Sequence, residues 1–156
     1  MEVQGRLIYF EEDENLSEIA KTLRRDIVPF KYNTPEHEVR NGITYLITKK
    51  GEIPLQIFGE HNLQNMEAAR LACRQIGVND DQFYEAIKDF PGASNRMQKI
   101  AETSETVAFK DFAHSPSKLK ATVNAVKTQF PERKLVACME LHTFSSLTED
   151  FLPQYA

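Results

Sequence analysis

The 156-residue chain has only two cysteines, too few for a disulfide framework or a zinc site of four thiolates. Cys73 and Cys138 each lie inside an apolar pattern, which reads as reduced core thiols of a cytoplasmic protein. Positive charge is not in excess. With a formal net charge of −4 and a pI near 5.6, the chain has no basic face to offer nucleic acid. No apolar run approaches the length of a membrane span, so no membrane insertion is expected. The N-terminus, acidic at Glu2 and from Glu11 to Glu14, lacks the charged-then-apolar order of a signal peptide. No G-x-S-x-G elbow occurs, which removes that class of serine hydrolase. The four histidines, His37, His61, His114 and His142, show none of the i, i+2 or i, i+4 spacings of a metal pair, so no metal site is expected. A phosphate-cradling G-x-x-x-x-G-K-[ST] loop is absent as well.

What remains is a chain that is 41% hydrophobic, long enough to bury a real core as one domain or two small ones. Its first third reads as mostly strand. Arg6 to Phe10 and Asp26 to Lys31 are extended, with Asn15 capping a helix that carries Leu16, Ile19, Ala20 and Leu23 on one face. The acidic run Glu11 to Glu14 reads as a solvated loop or helix start. Asn41-Gly42 predicts a type I′ hairpin, because both central residues of that turn need positive φ. A second hairpin turns at Lys49-Lys50-Gly51-Glu52, and Pro54 puts the strand Ile53 to Phe58 at an edge or a bulge.

Two helices follow. The first is capped by Asn62, buries Leu63, Met66, Ala69, Cys73 and Ile76, and stops at Gly77. The second starts at Asn79 or Asp80, turns Phe83, Ile87 and Phe90 inward, and breaks at Pro91-Gly92. Beyond them the pattern becomes β-α-β: a strand Thr106 to Ala113, a helix Pro116 to Phe130 and a strand Lys134 to Leu141. The run Leu135 to Met139 is apolar throughout, as in a parallel strand covered on both faces. Ser145 or Ser146 then caps a last helix from Leu147 to about Leu152. The fold class is α/β, with a boundary in 91–104 between segments 1–91 and 92–156. Two parallel strands make a poor sheet, so the second segment is expected to be the start of a larger unit.

Two junctions carry polar groups where a strand passes into a helix. In Gly59-Glu60-His61-Asn62-Leu63-Gln64-Asn65, the carboxamides of Asn62 and Asn65 stand one helical turn apart. Together they can donate to and accept from an adenine edge, and Gly59 lets backbone pass close to a ligand. On spacing alone the same residues equally form a plain helix cap. In Asp111-Phe112-Ala113-His114-Ser115-Pro116, Asp111 falls at a strand's carboxyl end, where open α/β sheets bind ligands. Its carboxylate could accept from a ribose; Ser115 caps the next helix and Pro116 suits its first turn. This too reads, without more, as a well-made turn. Between the junctions, Arg96 could hold a phosphate or stack on a base, or be an ordinary surface residue.

These stretches resemble the G-x-H-N-x-x-N and D-[FY]-A-H-x-P signatures of the Mur ligases, ATP-dependent amide-forming enzymes of peptidoglycan assembly and recycling. Phe90 to Arg96 resembles the family's F-x-G-x-x-R-R, matching at Gly92 and Arg96, with Asn95 for the first arginine. His142 to Ser146 resembles the P-H-x-Y-[ST]-R segment of the muramate–alanine branch, with Leu141 for proline, Phe144 for tyrosine and Ser146 for arginine.

The resemblance covers nearly the whole chain. It implies that 1–91 corresponds to the latter part of the central ATPase domain. Residues 92–156 would then be the truncated start of the Rossmann-like C-terminal domain. It implies nucleotide contacts from His61, Asn62, Asn65, Arg96 and Asp111, with His114, Ser115 and His142 lining the site. The parent enzyme would use ATP and Mg2+ to join UDP-N-acetylmuramate to an amino acid or peptide, either L-alanine or a free tripeptide. Lacking the phosphate loop and the N-terminal UDP-binding domain, this segment is expected to hold the adenosine part of the site, no catalytic residue, and no activity alone. The alternative is a freestanding nucleotide-binding or regulatory module.

Overall fold

The computed structural model describes residues 4–140, 148–149 and 152–155. Its elements are β1 (Gly5–Phe10), α1 (Glu14–Lys21), β2 (Ile27–Tyr32), β3 (His37–Arg40), β4 (Ile43–Thr48), β5 (Gly51–Leu55), α2 (Glu60–Gln75), α3 (Asp80–Ile87), β6 (Gln98–Glu102), β7 (Val107–Lys110) and α4 (Pro116–Gln129). A 3-10 turn spans Leu152–Tyr155. The fold is mixed α/β, as the sequence predicts.

The parallel pair is at the other end of the chain from the one expected. β1 and β2 pair in parallel through the short crossover α1, with Gly5 opposite Ile27 and Phe10 opposite Tyr32. The acidic run is the helix start: Asp13, not Asn15, is the cap, its carboxylate accepting from the Leu16 amide at 2.9 Å. Glu11 instead pairs with Lys31 and accepts from Asn33 on the far side of the crossover. Of the predicted inner face, Leu16, Ala20 and Leu23 are half-buried while Ile19 is exposed.

β3, β4 and β5 form an antiparallel sheet in that order. Asn41 and Gly42 have φ of 54° and 75°, the pair of left-handed residues a type I′ turn demands. The second hairpin is tighter than predicted. Thr48 faces Gly51 across a two-residue turn, and β5 ends at Leu55 rather than Phe58. Pro54 lies on the edge strand, where its missing N–H costs no ladder bond. Along β4, Thr44 and Leu46 alternate inward with period two. Leu46, Leu55 and Ile57 pack against Leu63 and Met66 of α2 and Ile87 of α3, forming the main core. Burial of such side chains contributes about 1.5–3 kcal/mol each.

Helix α2 departs from its predicted stripe. Leu63 and Met66 are buried, but Ala69 is exposed and Ile76 is 80% exposed at the frayed end before Gly77. Helix α3 is capped by Asn79 in a reciprocal box with Gln82, and ends at Ile87, leaving Phe90 exposed. Arg70 of α2 ties the two helices by holding Glu67 and, at 2.8 Å, Asp80.

The predicted C-terminal β-α-β does not form among the described residues. β7 pairs antiparallel with β6, a strand that sequence reading left inside the linker. All five residues of β6 are exposed, so no period-two burial pattern marked it. Residues 134–140 carry no strand; Val136 is 79% exposed and Cys138 is exposed, so Cys138 is not a core thiol. An apolar run becomes a buried strand only if neighbours cover it, and none of the described elements does. Cys73 is half-buried on α2. The predicted last helix and its caps Ser145 and Ser146 lie largely outside the described residues, as does His142.

Helix α4 nonetheless packs back on the first segment. Ala125, Val126 and Phe130 join Phe58, Met97 and Phe109 in a second apolar cluster, with Phe58 edge-on to Phe109 and Phe130.

Candidate functional site

The site is built where the end of the β5 segment enters α2. Gly59, not Asn62, is the N-cap of α2; its φ of 86° is open to glycine and strained for other residues. Gly59's lack of a Cβ makes room for helix α4. A Cβ there would stand 2.6 Å from the Ala125 Cβ of α4 and 3.3 Å from His61 Cε1. Asn62 lies inside the first turn, where its Nδ2 donates to the Phe58 carbonyl at 2.9 Å and pins the incoming chain. This leaves Oδ1 and the second amide hydrogen of Asn62 for another partner. Asn65 follows one turn later and is exposed.

His61 is half-buried beside Gly59. Burial holds its pKa below the ordinary 6.5; the Asp111 carboxylate opposes that shift and the Arg96 guanidinium adds to it. Two distant stretches of chain thus bear on the charge of His61 in α2: Arg96 in the loop after α3 and Asp111 just after β7.

Asp111 follows the last residue of β7, a strand paired antiparallel rather than parallel as predicted. Its Oδ2 accepts from the Met97 amide at 2.8 Å and its Oδ1 from Thr122 Oγ1 at 3.3 Å. The Arg96 loop is left-handed at Gly92, Asn95 and Met97, with φ of 93°, 56° and 48°. Arg96 itself is exposed and forms no ion pair among the described residues.

The lining residues separate. His114 turns back on its own loop, Nδ1 lying 2.9 Å from the Phe112 carbonyl and Nε2 3.5 Å from Lys118 Nζ, while its carbonyl accepts from Tyr155. Ser115 is the N-cap of α4 by backbone conformation but makes no side-chain cap bond; its Oγ lies 3.4 Å from Ser117 Oγ. Pro116 occupies the first turn as expected.

Sequence reading missed Thr122. The signal was present: with Leu119 and Val126, Thr122 sits at helical spacing on the inward side of α4, and a polar residue in an apolar stripe wants a partner. Gln129 continues that stripe and is likewise satisfied, accepting from Thr44 Oγ1 at 2.9 Å and donating to the Gly42 carbonyl at 2.8 Å.

A cleft of about 1400 Å³ runs between β5, the Pro91–Ser94 loop, β6 and the end of α4, walled by Phe58, Met97, Phe109 and Phe130. It includes none of His61, Asn62, Asn65, Arg96 or Asp111. Among the described residues no three His, Cys, Asp or Glu side chains gather so as to hold a metal ion. No described helix is long and apolar enough to cross a membrane.

No family model matches the chain. Curated relatives do. A UDP-N-acetylmuramate–L-alanine ligase of Cytophaga hutchinsonii is 34% identical over 119 residues, 74% of this chain and 25% of the relative. The ligase of that name from Desulfitobacterium hafniense is 27% identical over 161 residues, 97% of this chain and 36% of the relative. The chain thus spans about a quarter to a third of the length of these relatives. Among solved structures, UDP-N-acetylmuramate–alanine ligase from Thermotoga maritima matches with a TM-score of 0.61 at 20% identity, covering 80% of this chain and 30% of that one. MurF from Acinetobacter baumannii matches at 0.62 and 21%, covering 78% and 29%. Folylpolyglutamate synthetase from Lactobacillus casei shares the fold at 0.58 and 13%, covering 85% and 37%. With both junction signatures in place and the relatives aligned along nearly the whole chain, the protein belongs to the Mur ligase family.

Proposed function

We propose that this chain supplies the adenosine-binding part of the ATP site of a Mur ligase that joins UDP-N-acetylmuramate to an amino acid or peptide. The observation that carries the reading is the hydrogen bond of 2.8 Å from the Met97 amide to Asp111 Oδ2, which ties the Arg96 loop to the second junction, while Asp111 and Arg96 both bear on the charge of His61 at the start of α2. In this reading Asn62 and Asn65 address the adenine edge. Asn62 keeps an oxygen and one amide hydrogen for it, and Asn65 projects into solvent one turn on. Arg96 takes a phosphate or stacks on the base. Asp111 accepts from the ribose, since each carboxylate oxygen has two lone pairs and only one bond each is taken by Met97 and Thr122. His61, kept neutral by burial, packs beside the base without adding a cation. His114 and Ser115 line the approach.

Segments 1–91 and 92–156 correspond, in this proposal, to the end of the central domain and the start of the C-terminal domain. L-Alanine is favoured over a tripeptide as the amine because the named relatives are L-alanine ligases. ATP would activate the muramyl carboxylate. The residues described here contribute binding and orientation to that step.

Calorimetric titration with ADP tests the site. Binding by the chain, weakened about tenfold or more in Asn62→Ala and in Asp111→Ala through loss of a charge-assisted or paired hydrogen bond, supports it. Equal affinity in the variants and the parent would remove the assignment.

A further inference from the structure

Arg96 is exposed, yet its backbone is held on both sides. Its two neighbours, Asn95 and Met97, are both left-handed, and Met97 is only 6% exposed. A buried non-glycine residue at positive φ is strained and persists only where its surroundings enforce it. The surroundings here are two hydrogen bonds from the chain that follows β7. The Phe112 amide donates to the Asn95 carbonyl at 2.9 Å, and the Met97 amide donates to Asp111 Oδ2 at 2.8 Å. They bracket Arg96 on both sides. Within the loop, Gln98 Oε1 accepts from the Asn95 amide at 3.0 Å and the Ala93 carbonyl from the Arg96 amide at 3.0 Å. Arg96 therefore cannot shift relative to residues 111 and 112 without breaking a bond to one of them.

The carboxylate doing this is itself held. Thr122 Oγ1 donates to Asp111 Oδ1 from α4, the helix whose Ala125 packs against Gly59 beside His61. A carboxylate on a loop would otherwise rotate about its side-chain bonds; a bond to each oxygen sets its plane. We propose that Asp111 is the clasp that holds the Arg96 loop to the chain after β7, and that Thr122 is the positioning residue that orients the Asp111 carboxylate. The consequence for ligand binding rests on the reading of this junction as a nucleotide site. The clasp itself rests on the hydrogen bonds. Asp111 then has two tasks: one face of its carboxylate orders the arginine loop and the other is presented to the ligand, so that a single residue couples the two motifs.

The test uses the full chain and two independent readouts. Hydrogen exchange at the Met97 amide, followed by NMR, reports the clasp without any ligand. Titration with ADP reports its consequence. Thr122→Val, which removes the hydroxyl and keeps the shape, is expected to speed Met97 exchange about tenfold and to weaken ADP by a similar factor, the scale of one hydrogen bond to a charged group. Thr122→Ser is expected to restore both. That rescue distinguishes orientation from packing, because serine returns the hydroxyl but not the methyl.

Unchanged Met97 exchange in Thr122→Val overturns the proposal, even if ADP binds the parent chain well. Faster exchange with no ADP binding by the parent chain supports the clasp and removes the nucleotide reading instead. Should Thr122→Val not fold, Asp111→Asn carries the test. It keeps one acceptor oxygen and loses the charge; about tenfold faster exchange at Met97 supports the clasp and an unchanged rate overturns it.

Discussion

Ala125 of α4 lies so close to Gly59 that a Cβ at Gly59 would stand 2.6 Å from the Ala125 methyl carbon. This contact joins the cap of α2 to the middle of α4, two elements on either side of the predicted segment boundary.

Gly59→Ala should therefore destabilise the chain on two counts, the clash and a φ of 86° that alanine resists. The combined cost is about 2–4 kcal/mol. Urea denaturation measures it. A loss below about 0.5 kcal/mol, the range of neutral surface changes, would mean that α4 does not seat on α2 in solution.

Gln129 and Thr44 form a buried polar pair, 4% and 1% exposed, across the same boundary. Gln129→Leu strands the Thr44 hydroxyl and the Gly42 carbonyl and should cost about 1–3 kcal/mol. Adding Thr44→Val removes one stranded group, so the double variant should be less destabilised than the sum of the singles, with coupling of about 0.5–1.5 kcal/mol. Strict additivity in denaturant titrations would show that the pair is not made.

His61 predicts a pH dependence with a definite sign. Its folded pKa lies below 6.5 because burial disfavours the imidazolium. Below 6.5 the unfolded chain binds the proton more readily than the folded one, so stability is complete above that pH and falls as pH drops from it toward the folded pKa. Asp111→Asn removes the opposing charge and should lower the His61 pKa further. Arg96→Gln removes a cation and should raise it. NMR titration of the His61 ring reads both; shifts in the same direction would contradict the arrangement of the three residues.

ATP turnover is expected to be absent. No G-x-x-x-x-G-K-[ST] sequence is present to cradle the phosphates, and positioning them is most of what phosphoryl-transfer catalysis requires. Incubation with ATP and Mg2+ should release phosphate at the background rate. Sustained turnover by the purified chain would refute this.

The local elements were largely legible. Asn41-Gly42 declared its turn because positive φ at two successive positions admits few residues. Asn79 or Asp80 declared a helix start, Pro54 an edge or a bulge and Gly77 a helix end, each through its own backbone chemistry; the structure puts the cap at Asn79 and Pro54 on an edge strand. The caps at Asp13 and Gly59 were misread because several cap-forming residues stand close together, and which one caps depends on where the incoming chain is held. Strand β6 was missed because its exposed residues carry no alternation; its existence depends on β7 lying alongside.

By itself the sequence determined the α/β class, the turns and the two polar junctions, because these depend on residues adjacent in the chain and on the freedom of single φ angles. Only the tertiary structure decided that β1 pairs in parallel with β2 and that α4 closes on Gly59. It likewise decided that Asp111 reaches back to Met97 and Thr122 while acting on His61. Those relationships join residues far apart in the chain. Those made by α4 and Asp111 exist only where burial of Phe58, Met97 and Ala125 in one cluster outweighs the entropy of bringing the segments together.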